Sequence, residues 1–263
     1  MDLGLKGRVA IVAAASKGIG RAVAEEFAKE GCDVAICART AADLERAANE
    51  IGQANRRPVF WRAVDVINPE AVRTFVEEVD KKYGRVDICV TNAGGPPAKK
   101  FLEINLEDWR AAVELTLLSN VYFAREVLPR MQRNHWGRLV TITSISVKQP
   151  IDGLLLSNSL RAGVTGLAKT LANEFGADGI TVNNVCPGFT LTDRLEELVE
   201  LRAKEAGVSR EQAIKNMSAQ VPARRLGQPE ELAALITFLA SERASYINGT
   251  TIAVDGGLVR SLL

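Results

Sequence analysis

Residues 8–21 read RVAIVAAASKGIGR, and this stretch decides how the rest of the chain is interpreted. Its apolar run, residues 9–13, predicts a short buried strand. A turn of small residues follows, closed by Gly18 and Gly20, and apolar residues then recur at helical spacing. A strand, a glycine turn and a helix in this order place unpaired N–H groups and a positive helix end beside a phosphate. The stretch indicates a dinucleotide site, although a simple tight turn remains an alternative.

The composition favours a single α/β domain covering residues 1–263. The chain has 263 residues with 33 basic and 32 acidic side chains, for a net charge of +1. This balance excludes the basic excess expected of a nucleic-acid-binding protein. No apolar run reaches the roughly 18 residues needed to span a membrane, and the N-terminus lacks the apolar core of a signal peptide. We therefore expect a cytoplasmic protein without nucleic-acid or membrane partners.

The four cysteines do not show the paired spacing of a metal site. Most of them fall in apolar, strand-like runs, which predicts buried free thiols rather than metal ligands. We therefore expect no metal. The cysteines are Cys32, Cys37, Cys89 and Cys186.

Predicted strands and helices alternate along the whole chain. Strands are expected at residues 9–13, 34–38, 59–65, 86–90, 139–143, 180–185 and 250–254. After the first helix, further helices are expected at 41–53, 69–82, 108–134, 155–175 and 229–240. The polar segment 192–217 is expected to be mostly helical and able to form a mobile lid. Apolar strands between helices predict an α/β fold with one Rossmann-type, doubly wound parallel sheet and helices on both faces. Ligands of such sheets bind at the carboxyl ends of the strands.

Short motifs occur in a fixed order along this chain. They are Gly18-Ile19-Gly20, Asp65, Asn92-Ala93-Gly94, Ser144, Pro187-Gly188 and Asp255-Gly256-Gly257. With them the chain resembles the short-chain dehydrogenase/reductase family over nearly its whole length. Residues 225–231, RLGQPEE, also resemble the family's 3-oxoacyl-[acyl-carrier-protein] reductases and their sugar-alcohol relatives. The resemblance implies a nicotinamide cofactor, hydride transfer to or from a carbonyl carbon, and a homotetramer or homodimer.

The resemblance also implies which residues bind the cofactor. The turn residues would hold phosphate, Asp65 and Val66 would meet adenine, the Asn92 segment would lie under the nucleoside, and the Pro187 segment would hold the nicotinamide carboxamide. The family's usual first glycine is Ala14 here, whose methyl group should crowd the turn slightly. The implied residues are Ala14, Ser16, Lys17, Gly18, Ile19, Gly20, Asp65, Val66, Asn92, Ala93, Gly94, Pro187, Gly188 and Thr192.

The end of the second strand bears on the choice of cofactor. A carboxylate there would bind a ribose 2′-hydroxyl and repel a 2′-phosphate. This chain has Ala38-Arg39 at that point, and Lys17 lies in the glycine turn. Two cations without an acid favour NADP(H) over NAD(H). The alternative is that both cations are solvated surface charges.

The resemblance breaks down at the catalytic residues. The family uses a tyrosine, a lysine four residues later, a serine and an asparagine. Alignment places Ser157 at the tyrosine, Arg161 at the lysine and Thr116 at the asparagine, so that only Ser144 is retained. None of the chain's three tyrosines has a lysine four residues later; they are Tyr83, Tyr122 and Tyr246.

These replacements change the available proton chemistry. A serine hydroxyl is far less acidic than a tyrosine, whose ordinary pKa is about 10, so Ser157 is a poor general acid. Arg161 stays protonated but can stabilise an oxyanion or bind a carboxylate. Lys148 is the nearby ammonium that could donate a proton if its pKa fell, or it could be a solvated or substrate-anchoring lysine. His135 is expected in a surface turn far from the site.

The sequence is compatible with three functions. The first is an NADP-dependent oxidoreductase of a small carbonyl or alcohol, with Ser144 and Lys148 in altered acid/base roles. The second is a non-catalytic NADP-binding sensor or assembly protein, because the tyrosine and lysine are missing. The third is a lyase or isomerase that uses Arg161 to bind an anionic substrate.

Overall fold

A seven-stranded parallel sheet forms the centre of the protein in our computed structural model, which describes residues 2–262. The strand order is β3-β2-β1-β4-β5-β6-β7, and each neighbouring pair is parallel. The predicted α/β class and doubly wound sheet are confirmed. The strands are β1 (Val9–Ala13), β2 (Asp33–Ala38), β3 (Phe60–Ala63), β4 (Ile88–Thr91), β5 (Gly137–Ile142), β6 (Ile180–Pro187) and β7 (Thr251–Val254).

The helices lie close to their predicted positions. Most boundaries differ by one to three residues, which is the usual uncertainty at element ends. The helices are α1 (Gly18–Lys29), α2 (Ala41–Asn55), α3 (Pro69–Tyr83), α4 (Leu106–Val113), α5 (Ser119–Arg133), α6 (Leu155–Phe175), α7 (Asp193–Ala206), α8 (Arg210–Gln220) and α9 (Pro229–Leu239).

The predicted helix at residues 108–134 has a different form in the structure. It begins at Leu106, because the side chain of Asn105 accepts a hydrogen bond from Asp108 N at 2.8 Å and caps the first turn. A wide π-helical turn, Glu114–Leu118, then separates α4 from α5. Wide turns of this kind often occur at functional sites, and this one contains Thr116.

Helices cover both faces of the sheet. On β1, Ala10 and Val12 pack into the layer that contains α1, α2 and α9. Val9, Ile11 and Ala13 pack into the opposite layer with α3, α5 and α6. Alternate residues of one apolar strand therefore support two separate cores.

The strand order places the candidate site. From β1 the chain moves outward to β3 and then returns to β4 on the other side of β1. This reversal opens a crevice at the carboxyl ends of β1 and β4. The segment predicted as a lid forms α7 and α8, which pack around a small apolar cluster that includes Leu195, Val199 and Met217.

The four cysteines are buried and unpaired, as predicted. His135 is exposed beside the amino end of β5, opposite the carboxyl-end crevice, as predicted. Among residues 2–262, no helix is long and apolar enough to cross a membrane.

Candidate active site

A cavity of about 770 Å³ lies at the carboxyl ends of the strands. It extends from the glycine turn after β1 to the segment after β5. Of the residues predicted to bind the cofactor, only Gly20 does not line it, because Gly20 is buried beneath the turn. The predicted residues on its wall are Ala14, Ser16, Lys17, Gly18, Ile19, Arg39, Asp65, Val66, Asn92, Ala93, Gly94, Pro187, Gly188 and Thr192.

The glycine turn has the form of an anion cradle. A Cβ atom at Gly20 would lie 2.4 Å from the carbonyl oxygen of Ala14, so only glycine allows the turn to close against α1. At the start of α1, the side chain of the N-cap residue Lys17 makes no capping hydrogen bond. The first N–H groups of the helix are therefore left for another acceptor. Ala14 has a φ of +50°. In this left-handed conformation the Cβ atom of an alanine lies too close to the backbone, so the conformation is strained for any residue except glycine.

The two cations expected at the 2′-phosphate differ in their surroundings. Arg39 is exposed on the cavity wall at the end of β2. The ammonium of Lys17 forms an ion pair with Asp193, and this hydrogen bond raises the pKa of Lys17. Asp193 did not emerge from the sequence reasoning. Its only signal was its position directly after Thr192.

The first turn of α7 lies across the cavity. Thr192 approaches Gly18, where a Cβ atom would lie 3.3 Å from the Thr192 methyl group. On the other wall, Arg194 Nη2 donates a hydrogen bond to the carbonyl oxygen of Pro96 at 2.9 Å. The guanidinium lies against Gly95, where any side chain would meet it. One helical turn therefore contacts both the glycine turn and the loop after β4.

The RLGQPEE segment, residues 225–231, is hydrogen-bonded to the chain between β6 and α7. Gly227 N donates to Phe189 O at 2.8 Å, and Leu191 N donates to Gly227 O at 2.9 Å. Arg225 forms a bidentate pair with Glu231 at 2.8 and 2.6 Å. This pair is the main reason that the pKa of Glu231 falls to about 2. The segment holds the chain that leads into α7.

Three of the predicted catalytic residues line the same part of the cavity: Ser144, Ser157 and Arg161. Ser144 follows β5, and its Oγ accepts a hydrogen bond from Ser146 N at 3.1 Å. The hydroxyls of Ser146 and Ser157 are 3.4 Å apart. Ser146 thus connects the two predicted serines, a role that sequence reasoning missed.

Arg161 is fixed by the main chain that leads into Ser144. Its Nη1 donates to the carbonyl oxygens of Thr143 at 2.8 Å and Ile142 at 3.2 Å. Burial, followed by the charge of Arg194, lowers the pKa of Arg161 to about 10. The guanidinium therefore remains charged at neutral pH, as predicted.

Thr116 and Lys148 do not line this cavity. Thr116 is buried, and its neighbour Leu115 lines the cavity instead. The Thr116 carbonyl oxygen accepts a hydrogen bond from Asn120 Nδ2 at 2.7 Å. Lys148 is separated from Ser144 by the short 3₁₀ turn Ile145–Val147 and is half-buried. The roles predicted for these two residues gain no support from their positions.

Comparisons with known proteins agree on one family. A family model described as "Enoyl-(Acyl carrier protein) reductase" matches residues 13–259. The 3-oxoacyl-[acyl-carrier-protein] reductase FabG of Haemophilus influenzae is 33% identical over 257 residues, covering 98% of this chain and 100% of the relative. The chain belongs to the short-chain dehydrogenase/reductase family of oxidoreductases.

Two solved structures of reductases superpose closely on this chain. L-sorbose reductase from Gluconobacter frateurii, complexed with NADPH and L-sorbose, has a TM-score of 0.95 at 35% identity, with 100% of both chains covered. YwfH, an NADPH-dependent reductase involved in bacilysin biosynthesis, has a TM-score of 0.93 at 29% identity, with coverages of 98% and 100%.

The tyrosines of this short-chain dehydrogenase/reductase lie away from the cavity. None of the three, all of which are within the described residues, is on its wall. The Tyr122 hydroxyl donates to Glu114 at 2.8 Å, Tyr83 is half-buried and Tyr246 is fully exposed. No tyrosine from another part of this chain therefore takes the place that Ser157 occupies.

Proposed function

We propose that this protein is an NADP(H)-dependent oxidoreductase that transfers hydride between the cofactor and a small carbonyl or alcohol substrate. The proposal rests on the single cavity that joins the glycine turn to Ser144. Such a cavity can hold a dinucleotide at one end and a carbonyl group at the other. The FabG relative is a reductase, and the two solved structures named above are described as NADPH-bound or NADPH-dependent.

The glycine turn and α1 would hold the cofactor phosphates. The uncapped N–H groups of α1 supply hydrogen bonds and a positive dipole end to an anion. Arg39, exposed on the wall at the end of β2, favours a 2′-phosphate, which a carboxylate would repel. When bound, the cofactor supplies or accepts the hydride.

Ser144 and Arg161 would stabilise the negative charge that develops on the substrate oxygen. Because Ser144 Oγ accepts from Ser146 N, its own O–H is available to donate to that oxygen. Arg161 adds a fixed positive charge beside the same strand end. Preorganised donors of this kind contribute more in a buried site than in water.

The proton that the alkoxide needs would come from water in the cavity. The hydroxyls of Ser157 and Ser146 lie 3.4 Å apart, but Ser146 contacts Ser144 through its backbone N–H, so the three serines do not form a continuous hydroxyl chain. Ser144 would therefore receive its proton directly from water, because a hydroxyl can accept one hydrogen bond while it donates another. Lys148 remains the alternative donor predicted from the sequence, and its substitution tests that alternative.

A second candidate function is a cofactor-binding protein without turnover. The observation in its favour is that no tyrosine among residues 2–262 lines the cavity. Such a protein would bind NADPH tightly and would transfer no hydride to any carbonyl.

A binding titration followed by a substrate panel separates these functions. NADPH and NADH are titrated by fluorescence, and the better cofactor is then used with a panel of aldehydes, ketones and oxo acids. We expect tighter binding of NADPH and enzyme-dependent loss of its absorbance. Tight binding without turnover would favour the second function, and failure to bind either cofactor would contradict both.

We also propose a homotetramer or homodimer. The outward side of α6 carries exposed small residues, Ala162, Gly163 and Gly166, on which another helix could pack closely. Light scattering of the purified protein would give its mass, and a monomer would contradict the proposal.

A further inference from the structure

Arg161 lines the cavity, is only partly exposed, and carries a positive charge that the described residues do not neutralise. Within residues 2–262, no carboxylate lies within ion-pair distance of its guanidinium. Nη1 is bound by two carbonyl oxygens, and Nε is buried without a hydrogen-bond partner in the same part of the chain. Buried charges in proteins are normally paired, because an uncompensated one is costly.

A second cation lies on the same cavity wall but is already paired. Arg194 lines the same cavity, and its charge further lowers the pKa of Arg161. Glu197 pairs with Arg194 at 2.6 Å and Asp193 pairs with Lys17, so both acids that α7 places on the cavity wall are already engaged. A neutral ligand would leave the charge of Arg161 unpaired, whereas an anionic ligand would neutralise it.

We infer that the substrate carries a carboxylate close to its reacting carbonyl, and that Arg161 binds this carboxylate. The substrates would then be short oxo acids, or hydroxy acids in the reverse direction. Arg161 hydrogen-bonds the residue immediately before Ser144, so the carboxylate and the carbonyl oxygen would be held side by side. This inference rests on the proposed function and specifies its substrate class.

The cofactor phosphates are a second possible source of negative charge. The glycine turn follows β1, whereas Arg161 binds the end of β5, and β4 lies between these strands. Neighbouring strands are about 5 Å apart, so the two strand ends are separated by about 10 Å. This spacing favours the substrate as the partner of Arg161.

Matched acids and amides test the inference by binding. Calorimetry compares 2-oxobutanoate with 2-oxobutanamide and 3-oxobutanoate with 3-oxobutanamide, with NADP⁺ present so that no hydride is available. The same titrations are repeated without cofactor. We expect at least one acid to bind about tenfold more tightly than its amide, the effect of a charge-assisted hydrogen-bonded pair.

Variants of Arg161 identify the group responsible. Arg161→Met should remove the preference for the acid and leave amide binding within about twofold, because the amide makes no ion pair. Arg161→Lys should retain part of the preference, since it keeps the charge but loses the planar fork. Arg125→Gln, on the exposed side of α5, is the control for loss of a positive charge elsewhere. It should change the affinity for neither the acid nor the amide.

The outcomes separate this inference from the proposed function. Equal binding of acid and amide to the wild-type protein would overturn the inference, whether or not NADPH binds. An acid preference that persists in Arg161→Met would overturn the role of Arg161. Failure of NADPH binding together with selective acid binding would overturn the proposed function but not the carboxylate site.

Discussion

The ammonium of Lys17 in the glycine turn is ion-paired with the carboxylate of Asp193 at the first residue of α7. The pair connects the glycine turn to the helix that crosses the cavity. It also engages the cation that the sequence suggested for the 2′-phosphate of NADP(H). If Lys17 binds the 2′-phosphate, as the sequence predicts, Asp193 would compete with the cofactor for this ammonium.

Asp193→Asn should tighten NADPH binding by removing this competition. Because both side chains are more than two-thirds exposed, the pair is weak, and we expect only about a twofold to fivefold change. NADH, which lacks the 2′-phosphate, should bind as before. Fluorescence titration at low salt measures both affinities, and Asp193→Asn in a Lys17→Ala background should have no effect. Weaker NADPH binding in Asp193→Asn would mean that the pair holds the site in its binding form.

Ser144→Ala should lower kcat by about 10²–10³-fold, as expected for loss of a donor to a developing oxyanion. The NADPH dissociation constant should not change, because Ser144 lies at the other end of the cavity from the glycine turn. Lys148→Met should leave kcat nearly unchanged, since Lys148 is not on the wall. Steady-state kinetics with the best substrate of the panel gives both values. A large loss in Lys148→Met would restore lysine as the proton donor.

Ala14→Gly should stabilise the protein by about 0.5–1 kcal/mol. The left-handed φ of +50° strains alanine, and this gain exceeds the entropy that glycine loses on folding. Urea unfolding of the wild type and the variant measures the difference. Ala13→Gly is the matched control, because Ala13 is buried in β1 and the same change should destabilise there. If Ala14→Gly destabilised the protein, the claim that the left-handed backbone of Ala14 is strained would be wrong.

Glu231 should contribute stability that depends on pH. Arg225 and Gln228 N lower its pKa from 4.5 to about 2, so its contribution is complete above about pH 4.5 and is lost as the pH falls towards 2. Glu231→Gln should be less stable than the wild type at pH 7 by under about 1 kcal/mol, because the side chain is 40% exposed. Urea unfolding between pH 7 and pH 3 should show the two proteins converging. A constant difference across this range would exclude the carboxylate as the cause.

Asp87→Ala should be among the most destabilising substitutions at the amino end of the sheet. The carboxylate is fully buried. It accepts hydrogen bonds from Val9 N at 2.9 Å and from Nε and Nη2 of Arg85, both at 2.7 Å. Breaking a buried pair of this kind costs about 3–5 kcal/mol. Asp152→Ala, at an exposed position, should change the unfolding free energy little. A comparable loss in both variants would show that Asp87 has no special role.

The sequence by itself determined the architecture of this protein. Val9 to Ala13 and the later apolar runs are local signals whose length and spacing specify strands, and their alternation with helices leads to a parallel sheet. It also predicted that the candidate cofactor-binding residues share one cavity, because carboxyl ends of parallel strands meet at one edge. The absence of a tyrosine–lysine pair could likewise be read directly from residue spacing.

Only the tertiary structure decided which side chains meet at that edge. Lys148 and Arg161 were both plausible members of the site, but the turn after Ser144 leaves Lys148 off the cavity wall while α6 brings Arg161 to the end of β5. Asp193 reaches Lys17 although 176 residues separate them. Such contacts depend on the directions of loops and side chains, which residue spacing along the chain does not specify.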